Sequence, residues 1–253
     1  MGKYNSSVYR VRPLMKLIEE DDGALVSLLS LFGIAPLGKP NKCLYDGGSS
    51  EKQEMKLKPT KRHLLALIDY LAEKNCGDLE VKGENRRMLF FGDEDERREA
   101  CENAKAQLEA KYDTLTFADR PWYVFEGFSC PDIFIEGDDY VIVGEGKWTE
   151  PNITNRTTYL SGGGEYRNQM VRHVQGALNY TSKRVYAFYI VDGECGYTDQ
   201  LTKESFLSEL ELESIKLCED EKRRIADSYY GYTTWQDIQR ILPKLAFKSK
   251  SEI

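Results

Sequence analysis

The sequence predicts an α/β protein with a mainly helical amino-terminal region. Apolar residues recur at helical spacing through residues 1–92, whereas after residue 93 they also form alternating or continuous strand-like runs. With 253 residues, of which 41% are hydrophobic and 30% charged, the chain can bury a sizeable core. We therefore divide it into residues 1–92, as a helical region, and residues 93–253, as the main domain.

In the first region the pattern predicts helices on either side of a long loop. Apolar residues between positions 14 and 32 follow helical spacing, residues 33–60 are punctuated by Gly and Pro, and a helix restarts near Thr60. Residues 79–81 and 88–91 flank a Gly-Glu-Asn turn, which favours a small hairpin. The region is then either a winged-helix-like DNA-binding module or a helical cap over the core.

From residue 93 onward the predicted order is helix, three strands, helix, strand. The first helix covers residues 93–111 and carries acidic residues in its first turn, where the helix dipole favours them. The later predicted elements are strands at 122–125, 131–136 and 140–147, a helix at 165–180, a strand at 184–191, and terminal helices at 203–228 and 234–245.

Composition excludes several classes of protein. The apolar runs fall far short of the roughly 20 residues that a membrane-spanning helix needs, and residues 1–12 lack the organisation of a secretory signal. We therefore expect a cytoplasmic protein without a membrane partner. The six cysteines form no Cys-x-x-Cys pair, which favours reduced structural thiols, and two histidines are too few for a His-rich metal site.

The charge balance limits how the chain could bind nucleic acid. A net charge of −7 excludes a highly basic, indiscriminate binder. Local positive potential is expected instead from residues 56–62, Arg167, Arg172 and residues 183–184.

Residues 131–147 hold the pattern that points to chemistry. Two strand-like runs are joined by Gly-Asp-Asp at 137–139, which predicts a β-hairpin. Counting back from that turn places Asp132 opposite Glu145, with Cβ atoms about 4.5–5.5 Å apart. Lys147 shares the face of Glu145 because side chains alternate along a strand. Two close carboxylates repel unless a proton or a metal separates them, and their oxygens suit Mg²⁺ or Mn²⁺.

Pro131-Asp132, twelve intervening residues and Glu145-Gly146-Lys147 resemble the active-site signature of the PD-(D/E)XK nuclease superfamily. The predicted order of elements is also similar to that family's restriction-endonuclease-like core of helix, three-strand meander, helix and strand. The resemblance implies a Mg²⁺-dependent (or Mn²⁺-dependent) deoxyribonuclease that hydrolyses phosphodiester bonds, with DNA favoured over RNA as partner. Asp132 and Glu145 would be metal ligands in the catalytic group, and Lys147 a catalytic base or charge stabiliser.

The helix after the hairpin adds two candidates. Polar residues recur there at three- or four-residue intervals and so share one helix face: Glu165, Gln169, Arg172 and Gln175. The resemblance implies that Gln169 joins the catalytic group by positioning the nucleophile or the phosphate, and that Arg172 binds substrate. A solvent-facing stripe is the alternative interpretation.

Several residues, and the function itself, have more than one interpretation. The resembled family often adds an acidic residue from its first core helix, and either Glu94 or Glu102 fits that role. His173 lies among apolar residues, which favours a partly buried structural role over catalysis. A non-catalytic nucleic-acid-binding or regulatory protein on the same fold is the main alternative function, and a carboxylate glycosidase is another. The oligomeric state is open, with a homodimer as one alternative.

Overall fold

A five-stranded mixed sheet forms the centre of the molecule. The computed structural model describes residues 6–46, 54–74, 82–119, 121–150, 167–213, 215, 217–245 and 247. The strands lie side by side in chain order: β1 (Lys42–Leu44), β2 (Ile133–Glu136), β3 (Tyr140–Gly146), β4 (Arg184–Val191) and β5 (Tyr229–Thr234). The β1-β2 and β2-β3 pairs are antiparallel, and the β3-β4 and β4-β5 pairs are parallel. The predicted α/β class is therefore confirmed.

Nine α-helices occur in the described residues, most of them begun by a polar cap. They are α1 (Arg12–Glu20), α2 (Asp22–Ser30), α3 (Lys61–Glu73), α4 (Glu84–Phe91), α5 (Glu94–Lys111), α6 (Gln169–Tyr180), α7 (Lys203–Leu212), α8 (Glu219–Ser228) and α9 (Trp235–Ile241). The side chains of Thr60, Asp93 and Asn168 accept hydrogen bonds from backbone amides in the first turns of α3, α5 and α6. None of the helices in the described ranges is both long enough and apolar enough to cross a membrane.

Alternating side chains of the strands bury both faces of the sheet. Tyr140 and Ile142 of β3 point to one face, where they join residues of α1, α2 and α9. Val141 and Val143 point to the other face, where they join residues of α6, α7 and α8. A third apolar cluster, built from α3, α4 and α5 with Tyr123 and Phe125, lies apart from these two. The face that carries Val141 and Val143 is the one that positions the candidate site.

Two predicted strands are wrong. Residues 122–125 form no strand, because Arg86 uses their carbonyl groups: its guanidinium donates to Trp122 O at 2.7 Å and to Val124 O at 3.4 Å. Residues 88–91 lie in α4 rather than in a hairpin, and Gly83, with φ 94°, precedes that helix. Residues 79–81 lie outside the described residues. The winged-helix interpretation therefore loses the hairpin on which it depended.

The first strand of the meander comes instead from the predicted loop. β1 pairs with β2 from Lys42↔Glu136 to Leu44↔Phe134, and α1 and α2 cover the sheet beside it. Phe32, just after α2, stacks on Phe188 of β4 with ring centroids 4.2 Å apart. The division of the chain at residue 92 remains a prediction, but packing contacts cross it throughout the sheet.

Apart from the strand at 122–125, the elements after residue 93 follow the prediction until the carboxyl-terminal part. The predicted helix at 93–111, hairpin and strand at 184–191 match α5, β2-β3 and β4. The predicted helix at 203–228 is divided into α7 and α8, because the chain turns at Glu213, whose buried carboxylate meets Arg167. Residues 229–234 form β5, a strand that the sequence pattern did not predict, and α9 ends at Ile241.

We expect Phe188→Ala to lower the free energy of unfolding by about 3–5 kcal/mol, because it leaves a cavity between the sheet and the amino-terminal helices. Phe188 is fully buried, whereas Phe91, with 41% exposure, is the matched control whose alanine variant should change stability by less than about 0.5 kcal/mol. Urea unfolding of both variants measures the difference. Equal losses would show that α1 and α2 do not pack on the sheet as described.

Candidate functional site

The β2-β3 hairpin brings Asp132 and Glu145 to one end of the sheet. The strands pair from Ile133↔Gly144 to Glu136↔Val141, and the same register continued by one residue sets Asp132 opposite Glu145. The backbone amide of Gly146 donates to Asp132 Oδ2 at 3.0 Å, which fixes the first carboxylate against the second strand. The register deduced from the Gly-Asp-Asp turn is the one observed.

Lys147 and Gln169 complete a group of polar side chains around Glu145. Lys147 Nζ lies 2.8 Å from Glu145 Oε1, and the Gln169 amide donates to the same oxygen at 2.8 Å. Lys147 Nζ also donates to Gln169 Oε1 at 3.3 Å, so Gln169 bridges the acid and the ammonium. Glu145 and Lys147 are only 4% and 8% exposed, whereas Asp132 and Gln169 are partly accessible.

His173 is a functional candidate that the sequence pattern assigned to a structural role. Its Nε2 lies 3.0 Å from Glu145 Oε2, and its Nδ1 lies 2.5 Å from Ser129 Oγ. The expected burial is correct, at 1% exposure, but the side chain binds the candidate metal ligand directly. The sequence does contain an indication of this contact: His173 follows Gln169 by four residues, so the two side chains lie on the same face of α6.

Burial and charge set different protonation states for the two carboxyl groups. Burial first, and then the charge of Glu145, raise the pKa of Asp132 to about 8. Burial would also raise the pKa of Glu145, but the Lys147 charge and the hydrogen bond from His173 hold it at about 2. Burial opposes the charge of Lys147, yet the charge of Glu145 outweighs it and raises the pKa of the ammonium. Glu145 and Lys147 are therefore an ion pair at neutral pH.

Gly146 lets the catalytic candidates on either side of it keep their positions. A Cβ at this residue would lie 2.5 Å from Val11 Cγ2 and 3.1 Å from Trp235 Cζ2, so the strand packs too closely there for any side chain. The indole of Trp235 donates to the carbonyl of Lys147 at 2.8 Å. Val11 and Trp235, which lie far apart in the sequence, thus pack against the end of β3 on the face opposite to Glu145.

Ser7, from the amino-terminal region, lies next to Asp132. It is part of the single π-helical turn Ser7–Val11. Its hydroxyl donates to Asp132 Oδ1 at 2.8 Å. The amino-terminal region therefore contributes a polar contact to the site, which no sequence motif indicated.

The structure does not bring every predicted residue to this group. Arg172 points elsewhere: its Nε lies 3.3 Å from Glu126 Oε1, and its Nη2 donates to Gly127 O at 3.4 Å. Glu94 and Glu102 line a surface depression on α5, whose apolar side packs on α3 and α4 rather than on the sheet. The expectation that one of these two acids joins the site is therefore wrong. Glu165 lies outside the described residues.

Arg167 forms a buried ion network instead of the expected surface charge. The guanidinium is 1% exposed and donates to Glu126 Oε2 at 3.2 Å and to Glu213 Oε2 at 2.9 Å. It also donates to Gln175 Oε1 at 2.6 Å. Burial would raise the pKa of Glu126, but the charge of Arg167 lowers it well below its usual range. Arg167 therefore stabilises buried acids and is not available to contact a phosphate.

His63 joins the same network and should make stability depend on pH. Its Nε2 lies 3.2 Å from Glu126 Oε2, and burial, followed by the charge of Arg167, lowers its pKa from the usual 6.5. Below about pH 6.5 the unfolded chain binds a proton that the folded protein excludes, so stability is lost as the pH falls.

We expect the free energy of unfolding to decline between pH 7 and pH 5, and the decline to be smaller in a His63→Gln variant. Glutamine keeps a donor near Glu126 but cannot titrate. Urea unfolding at several pH values, in EDTA, gives both slopes. Identical slopes for the two proteins would contradict a neutral buried His63.

The two carboxylates fit a single divalent ion better than a cluster. Among the described residues, no group of three or more His, Cys, Asp or Glu side chains could hold a metal. Mg²⁺, however, often takes only one or two carboxylates and completes its shell with water and substrate phosphate. Asp132, whose pKa of about 8 keeps it protonated at neutral pH, would have to release its proton before both acids could bind one cation. The described donors then leave one lone pair on each Asp132 oxygen and one on Glu145 Oε2 for that cation. No family model, curated protein or solved structure matches this chain.

Proposed function

We propose that the protein is a Mg²⁺-dependent (or Mn²⁺-dependent) nuclease that hydrolyses phosphodiester bonds of DNA. The observation that carries the proposal is the contact group itself: Asp132 and Glu145 meet at the end of adjacent strands, and Lys147 and Gln169 bind Glu145. Two acids and one ammonium at this spacing suit metal-assisted attack on a phosphate better than they suit a structural ion pair, which would not need Asp132.

The order of elements supports a restriction-endonuclease-like core. Helices α1 and α2 precede the β1-β2-β3 meander, and α6 and the parallel strand β4 follow it. This order of helix, three strands, helix and strand is the predicted one. Its first helix and first strand, however, are α1-α2 and β1 rather than the predicted helix at 93–111 and strand at 122–125. The segment between β1 and β2, which includes α3, α4 and α5, is then an insertion into the core.

Each residue of the group has a different role in the proposed reaction. A divalent ion held by Asp132 and Glu145 would polarise the phosphate and lower the pKa of a bound water. Lys147 stays protonated at neutral pH because Glu145 raises its pKa, so it acts as a charge stabiliser rather than as a base. Gln169 holds Glu145 and Lys147 in place through both ends of its amide.

The first test is cleavage of plasmid DNA, linear DNA and RNA with Mg²⁺, with Mn²⁺ and with EDTA. We expect cleavage that requires the metal, and a loss of about 10²–10³-fold or more in Lys147→Ala, because the variant lacks the charge that stabilises the transition state. Asp132→Asn should lose activity to a similar degree.

Lys111→Ala is the matched control for this test. Glu109-Ala110-Lys111 repeats the Glu-x-Lys pattern on the exposed side of α5, and its variant should cut as the wild type does. Binding of DNA without any cleavage by the wild-type protein would favour a non-catalytic nucleic-acid-binding protein. Cleavage that survives EDTA would exclude the metal-dependent mechanism.

A second expectation concerns His173 as a positioning residue. Its imidazole fixes Glu145 Oε2, so His173→Ala should raise the Mg²⁺ concentration for half-maximal cleavage by about 10–100-fold. A Mg²⁺ titration of the cleavage rate measures the shift, and His173→Gln, which keeps a donor, should recover part of it. A variant that loses rate without any shift in the Mg²⁺ dependence would show that His173 does not act through Glu145.

A further inference from the structure

Four side chains near the site form what we call the aromatic-basic surface: Lys56, Lys58, Phe117 and Phe128. The Phe117 and Phe128 rings meet edge to face with centroids 6.2 Å apart. Lys56 Nζ lies 4.5 Å from the Phe117 centroid, and Lys58 Nζ lies 5.9 Å from that of Phe128. Phe117 is 40% exposed, which is unusual for a Phe side chain. Aromatic rings and ammonium groups thus share one accessible surface.

A cleft borders this surface, and Phe128 belongs to both. It has a volume of about 560 Å³, and its lining includes Trp122, Gly127, Phe128 and Arg172. Arg172 follows Gln169 by three residues on α6, so one helix reaches both the cleft and the Glu145 group. The predicted contact of Arg172 with substrate stays a prediction, and the cleft, where Arg172 also meets Glu126, is the place where it would form.

A short segment joins the surface to the catalytic candidates. Phe128 precedes Asp132 by four residues, which span at most about 14 Å even when fully extended. Ser129, between them, binds His173, which in turn binds Glu145. A chain bound on the aromatic-basic surface would therefore lie within a few nucleotides of the site.

The chemistry of the surface selects unpaired nucleotides. A base stacks on an aromatic face only when that face of the base is not covered by a neighbouring base. Lys56 and Lys58 lie over the rings of Phe117 and Phe128, so their ammonium groups would move from the ring faces to the phosphates when bases stack there. Each ammonium has three donors, and Lys58 donates to two backbone carbonyls, Tyr112 O at 3.0 Å and Asp113 O at 3.3 Å. Lys56 lies 3.5 Å from Glu54, an ion pair that a phosphate would have to displace.

We propose that the aromatic-basic surface binds single-stranded nucleic acid and feeds it to the Asp132 and Glu145 site. This inference rests on the proposed nuclease function and adds a substrate class to it: single strands, or duplexes with frayed or unpaired ends. The unpaired bases stack on Phe117 and Phe128, and the adjoining cleft accepts the nucleotide nearest to Arg172.

Fluorescence anisotropy of labelled oligonucleotides in EDTA tests binding apart from cleavage. The full-length protein is titrated with oligo(dT), with oligo(U) and with a DNA duplex of the same length. We expect single strands to bind more tightly than the duplex. Phe117→Leu and Phe128→Leu, which keep apolar bulk but lose the aromatic face, should each weaken single-strand binding roughly tenfold.

Two controls accompany these variants. Phe91→Leu removes a similarly exposed ring on α4 and should bind as the wild type does. Lys56→Gln should reduce the dependence of log affinity on log salt by about 0.7, the value for one phosphate contact on a single strand. Lys16→Gln, on the exposed side of α1, should leave that slope unchanged.

The outcomes separate this inference from the proposed function. Wild-type affinity in both Phe117→Leu and Phe128→Leu, or tighter binding of the duplex, would overturn the aromatic-basic surface even if DNA cleavage is observed. Ring-dependent binding of single strands by a protein that never cuts would support the surface and reject the nuclease. A preference between oligo(dT) and oligo(U) then identifies whether DNA or RNA supplies the strand.

Discussion

The buried carboxylate of Glu145 is the constraint on which the rest of the structure depends. A charge with 4% exposure is costly unless every nearby donor is used, and here three side chains supply donors: Lys147, Gln169 and His173. Two of these belong to α6, so the helix must dock on the sheet with one particular rotation. The contacts that fix the rotation of α6 on β3 are therefore the same contacts that set the geometry of the candidate site.

A second set of buried charges lies just before α6 and fixes its start. Arg167 binds Glu126 and Glu213, and the amide of Asn168 donates to Glu213 Oε1 at 2.8 Å. His63 extends this network to α3 through its contact with Glu126, so a buried polar contact joins α3 to the residues that precede α6. Removing Arg167 alone would take from two buried acids the guanidinium that they share and leave Glu126 with Arg172 and His63, and Glu213 with the Asn168 amide, as described partners. Such a loss is costly because the remaining charge stays buried.

Local patterns in the sequence predicted that Asp132 lies opposite Glu145, whereas distant strand pairings could not be predicted. The turn at residues 137–139 and the alternation beside it set the register of Asp132 and Glu145 without help from the rest of the chain. β1 has only three residues, and its partner strand lies far along the sequence, so nothing local marked it. Residues 122–125 have strand-like composition, but Arg86 takes their carbonyl groups. The apolar neighbours of His173 in the sequence indicate a structural role, whereas its spacing of four residues from Gln169 places it on the same face of α6.

Net charge is a poor guide to how this protein would hold nucleic acid. Arg167 is buried and Lys183 pairs with Glu136 at 2.7 Å, so two of the expected basic groups are already committed within the protein. Few phosphate contacts then remain, and affinity should depend less on salt than it does for a basic binder. Stacking on Phe117 and Phe128, and a metal held between two acids, would have to supply the rest. An acidic protein can bind a polyanion on these terms because aromatic stacking does not require a positive surface.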